Sequence, residues 1–144
     1  MRGIVTSVVL GAIVLVMSGC SVFFYPHAKK FAEKAKGADS VETLVNLTKM
    51  MEESAKRAQS GSGYDQPLDD LHNQFHAFDN TVCCVEKPKS ETPEYELLVT
   101  HNKELWAIFK RAWKFRDDQP QRRQHLELFG DEVRETREAL DALK

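Results

Sequence analysis

Apolar residues recur along this chain at steps of three and four, with polar residues between them. Val41, Leu44, Thr48, Met51, Ala55 and Ala58 keep that rhythm, and so do Leu68, Leu71, Phe75, Phe78 and Val82. A third stripe runs through Tyr95, Leu98, Asn102, Leu105, Phe109 and Ala112, widened by Trp106 and Trp113. A fourth comprises Leu126, Phe129, Val133, Thr136, Leu140 and Leu143. Residues three and four apart are neighbours on a helix surface, so each stripe predicts one buried helical face. Starting signals precede the stripes. Asp39-Ser40-Val41-Glu42 has the form of a capping box, and Asp65-Gln66-Pro67, Thr92-Pro93-Glu94 and Asp118-Gln119-Pro120 place a capping oxygen just before a proline. Ser60-Gly61-Ser62-Gly63 stops the first stripe, and Pro88 lies in a polar connecting segment after the second. Ahead of them all, Ala28–Lys36 predicts a short helix ended by Gly37.

No segment alternates with period two, so no sheet is expected. The prediction is an all-α fold, a small up-down bundle of about four helices over residues 39–144. Gly130 interrupts the last stripe, where glycine costs about 1 kcal/mol against alanine. It marks either close helix packing or a bend.

The first residues follow a different pattern. Arg2 precedes the apolar run Ile4 to Met17, and Ser18 and Gly19 come next. A positive start, an apolar stretch and small residues make a secretory signal. The run is shorter than the ~20 residues that span a bilayer. Val16-Met17-Ser18-Gly19-Cys20 resembles the lipobox of bacterial lipoproteins, with Met17 where Leu, Val or Ile is more usual. That resemblance implies cleavage before Cys20, a diacylglycerol on its sulfur and an acyl chain on the new amino terminus. Residues 1–19 are then a lipoprotein signal peptide, and 20–38 hold the lipidated cysteine, an aromatic stem and the short helix. The competing reading is an uncleaved membrane anchor. Either leaves the rest of the chain outside the cytoplasm. Ser21 stands where an Asp would favour inner-membrane retention in enteric lipoproteins, so the resemblance implies the outer membrane. In the stem, Phe23, Phe24 and Tyr25 suit either a headgroup interface or packing on the domain.

Twenty basic and 22 acidic residues give a net charge of −2. Removing the signal removes Arg2 and no acid, so the mature chain is mildly acidic. Its charges are interleaved, which argues against a nucleic-acid partner. Gly-x-Ser-x-Gly, His-Glu-x-x-His and phosphate-loop motifs are absent, and no pair of carboxylates stands out for acid–base work. The expectation is a non-enzymatic envelope protein, held to the membrane by its lipid, that binds or supports another envelope component. Apart from the covalent acyl chains no cofactor is expected.

Three constellations carry chemistry. His72 and His76 share a helix face, and antiparallel register with Cys83 and Pro93 at one end brings His101 level with His76. By the same count Met50 lies level with His76. Imidazoles suit Zn and Cu, so His72, His76 and His101 form a candidate metal site. Cys83 lies two helical turns from His76, about 10.5 Å along the axis, too far to share an ion. The adjacent thiols Cys83 and Cys84 admit a strained vicinal disulfide, an intermolecular bridge or a soft-metal site, against two small buried apolar residues at a helix end. No Cys-x-x-Cys-His occurs, which excludes c-type haem attachment. These residues support an alternative function, a periplasmic metal-binding or redox-stress lipoprotein. Finally, Lys110, Arg111, Trp113, Lys114, Arg116, Arg122 and Arg123 make a basic, aromatic-rimmed end. They either complement a helix C-terminus or contact an anionic partner.

Overall fold

The computed structural model describes residues 25–144; the signal segment, Cys20 and the stem through Phe24 lie outside the described residues. Among the described residues the chain is all helical and has no strand. The described residues form five α-helices: α1 (Pro26–Ala35), α2 (Ser40–Ala58), α3 (Gln66–Val82), α4 (Pro93–Lys114) and α5 (Gln119–Ala142). No described helix is long and apolar enough to cross a membrane.

The caps form where the sequence places them. Asp39 Oδ1 accepts from the Glu42 amide at 2.8 Å, and Glu42 reaches back to the Ala38 amide at 2.6 Å. Asp65, Thr92 and Asp118 accept from Leu68, Tyr95 and Gln121 in the same way. Each bond satisfies an amide that the first helical turn would otherwise leave unpaired. The short helix starts two residues earlier than predicted, because Pro26 takes a first-turn position after Tyr25. One turn of 3₁₀ helix, Lys89–Glu91, breaks the connection between α3 and α4.

The four stripes meet in one core. Leu44, Met51, Leu71, Phe78, Leu105 and Phe129 are all fully buried. Polar members of the stripes turn their groups onto nearby partners. Thr48 and Thr136 donate to carbonyls in the preceding turn, and Asn102 donates to Asp79 at 2.6 Å. Burial of a paired polar group carries little cost. Helix α2 packs on α3 and α5, α4 packs on α5, and α1 lies across α3 and α2. The approach of α3 to α4 is the loosest of these, and large rings fill it.

Polar contacts at the helix ends fix the directions of α2 to α5. At one end the Arg122 side chain, on the first turn of α5, donates to the carbonyls of Ala58, Gly63 and Arg116 and to Asp65 Oδ2. The ends of α2 and α4 and the starts of α3 and α5 therefore meet there. At the other end Ser40 bonds Glu86, Lys89 faces Asp39, and the Tyr95 hydroxyl donates to the Val82 carbonyl. Gly130 is neither a packing contact nor needed for close approach, since a Cβ there would meet nothing within 4 Å.

Candidate functional site

The seam between α3 and α4 is built of rings. Phe75 stacks on Trp106 at 5.0 Å between centroids, Trp106 lies 5.7 Å from Phe109, and His72 lies 5.3 Å from Phe109 in a parallel plane. Large flat side chains hold the two helices apart and leave an open hollow. It measures about 190 Å³ and is lined by His72, Trp106, Phe109, Lys110 and Trp113. Lys110 extends over the Trp106 ring at 5.8 Å, and the Arg116 guanidinium over Trp113 at 5.9 Å. The hollow is thus aromatic-walled with cations on its rim.

His72 and His76 come together here. Their Nε2 atoms are 3.1 Å apart, a spacing at which one neutral imidazole donates to the other. Tyr25 closes the group, stacked on His76 at 3.5 Å and edge-on to His72. Burial pushes the pKa of His76 down to about 4, with His72 adding to the effect and Asp79 opposing it. Burial also lowers His72, against the pull of Asp69. Among the described residues no third metal donor joins them: Asp69, a turn earlier, already takes the Tyr64 hydroxyl and the Asn73 amide.

His101 is not in this group, a correction to the predicted trio. Trp106, not His101, lies beside His76, at 5.3 Å between rings. Across the α3–α4 seam Asp79 meets Asn102 and Phe75 meets Trp106, about one turn off the register that sets Cys83 level with Pro93. Met50 packs at the margin of the core. His101 instead faces α5, where its Nδ1 lies 2.6 Å from Glu132 Oε1 and 4.0 Å from Glu104 Oε2. His101, Glu132 and Glu135 each bring a ligand atom within 4.8 Å of the others. Burial raises the pKa of Glu132; His101 opposes this and Glu104 reinforces it.

Cys83 and Cys84 are free and exposed, which corrects the buried alternative. The chain turns after Val82 and tucks Val85 inward instead. Cys84 Sγ lies 3.5 Å from the Asn80 carbonyl and edges a groove between α1 and α3. Burial raises the Cys83 thiol pKa, with Asp79 and Cys84 adding to it.

The basic end divides in two. Lys110, Arg111, Lys114 and Arg123 are exposed, and Arg116 and Trp113 are half-buried. Arg122 is fully buried and takes no part in any surface contact; it is a structural tie between helix ends. Sequence reasoning missed the partners of His101. The signal available was a pair of three-residue spacings, His101 to Glu104 and Glu132 to Glu135, but spacing does not reveal that the two helices face each other. No known family matches the chain, and neither does any curated protein or solved structure.

Proposed function

We propose that the chain is a lipid-anchored envelope protein, without catalytic activity, whose aromatic α3–α4 seam engages another envelope component. Cys20 carries the anchor, and Ser21 after it points to the outer membrane in this reading. One observation carries the choice of face. Tyr25, five residues beyond Cys20, is stacked on His76 in the seam. Five residues reach at most about 17 Å, so chain length alone tethers an anchor at Cys20 within that distance of Tyr25. Exposed Lys110 and Lys114 beside Trp106 and Trp113 give that face the composition of a contact surface, with aromatic anchors and a charged rim.

The test has two arms. Palmitate labelling and fractionation compare wild type with Cys20→Ala; equal labelling removes the anchor. A photo-crosslinking residue at Lys110 is compared in intact cells with one at Glu53, an exposed site on α2. The Lys110 probe is expected to capture one envelope component that the Glu53 probe does not, and identical products from both would remove the assigned face. A second reading, a thiol-based redox-stress protein, is supported by the exposed pair Cys83 and Cys84. Loss of oxidant tolerance in a strain carrying Cys83→Ser and Cys84→Ser would favour it.

A further inference from the structure

We propose that His101, Glu132 and Glu135, with Glu104 at the rim, bind one divalent transition-metal ion between α4 and α5, with Zn²⁺ as the best-suited ion. The site is independent of the lipid anchor and of the aromatic seam. Two helices supply it, each through a pair of residues one turn apart: His101 and Glu104 from α4, Glu132 and Glu135 from α5. Such pairs project side by side from one face, so two facing helices bring four donors to one point.

Three observations converge. The first is geometric. One ligand atom from each of His101, Glu132 and Glu135 lies within 4.8 Å of the others. A Zn²⁺ ion with bonds of about 2.0–2.2 Å holds neighbouring ligand atoms about 3–4 Å apart, so small side-chain rotations close the group on an ion. The second is the surroundings. His101 and Glu132 side chains are each only 11% exposed, and their packing fixes the two central donors before any ion arrives. The third is charge. Three carboxylates surround a single imidazole, and among the described residues none of the three forms an ion pair with a lysine or arginine. Basic residues are close by on α5 but are engaged elsewhere, Arg137 with Glu52 and Arg134 with Asp131. A cation at the centre supplies the charge that the protein withholds.

Donor chemistry narrows the ion. One imidazole with carboxylates suits Zn²⁺, with Mn²⁺ next, and the absence of sulfur argues against Cu(I). On binding, the ion replaces the hydrogen shared between His101 Nδ1 and Glu132 Oε1 at 2.6 Å. Glu135 is exposed, so solvent reaches the remaining coordination position.

The experiment is titration of the full-length protein in detergent micelles with Zn²⁺ and with Mn²⁺, followed calorimetrically, with metal content measured after gel filtration. One equivalent of Zn²⁺ is expected at micromolar affinity or better. Glu132→Gln and Glu135→Gln should each weaken it by roughly tenfold or more, since even changes to outlying partners of metal ligands cost that much. His72→Ala with His76→Ala, and Cys83→Ser with Cys84→Ser, should leave it unchanged. If Glu132→Gln loses its helical circular dichroism, the exposed Glu135→Gln decides. Absence of binding by the wild type below millimolar overturns the site. So does binding that survives both carboxylate changes or disappears with either control pair.

Discussion

Arg122 Nη2 lies 2.7 Å from Asp65 Oδ2, which joins the first turn of α5 to the cap of α3 across 57 residues of sequence. The same guanidinium takes three backbone carbonyls from the ends of α2, the α2–α3 loop and α4. A fully buried arginine is tolerable because every face of its fork meets an acceptor.

Arg122→Ala is expected to destabilise the fold by about 3 kcal/mol or more, the low end of the range for breaking a buried pair, because Asp65 keeps some solvent contact. Arg122→Lys should restore only part, since an ammonium lacks the planar fork. Denaturant midpoints measure both, and an unchanged midpoint in Arg122→Ala would show the tie to be dispensable.

Two glycines should respond with opposite sign. At Gly61 a Cβ would fall 1.6 Å from Asp65 Oδ2 and 2.8 Å from Arg122 Nη2. Gly61→Ala must displace that pair and should cost about 1–3 kcal/mol. At Gly130 the space is open and the position is helical, so Gly130→Ala should add about 0.4–1 kcal/mol. Thermal unfolding of the two variants checks the contrast.

His76 should make the fold acid-sensitive. Its folded pKa lies near 4, below the ordinary 6.5. The unfolded chain therefore binds the extra proton first, and stability is fully present above pH 6.5 and falls as pH drops from there towards 4. The facing groups are His72, Asp79, Tyr25 and Trp106, and only Asp79 opposes the shift. His76→Phe should flatten stability over that window relative to wild type. Parallel pH profiles for the two proteins would rule out the assignment.

Both Cys83 and Cys84 should react with maleimide in the folded protein without denaturant, as exposed free thiols. The raised pKa of Cys83 leaves less thiolate near neutrality, so in Cys84→Ser the remaining thiol should label more slowly than an unperturbed cysteine peptide. Mass spectrometry over a time course reads both outcomes; protection of either thiol would contradict its exposure.

The helices were legible because their causes are local. A cap lies within three residues of the amide it satisfies, and a stripe repeats within one helix, so Asp39, Asp65, Thr92 and Asp118 stand at starts in sequence and in structure alike. The pairing of His72 with His76 was legible for the same reason, being one turn apart.

What lies between helices depended on register. The ten residues from Cys83 to Thr92 contain a 3₁₀ turn that no periodicity announces, and the α3–α4 contacts sit about one turn off the predicted register. That shift separates His101 from His76 and hands it to Glu132. Arg122 belongs to the same class. Its charge placed it among surface bases, and only the convergence of helix ends supplies the four acceptors that let it be buried. The sequence by itself determined the helices, their faces and their caps, because those follow from contacts within a few residues. Tertiary structure alone decided which side chains from different helices meet, because that rests on the length and shape of the connections and on how the rings between α3 and α4 fill space.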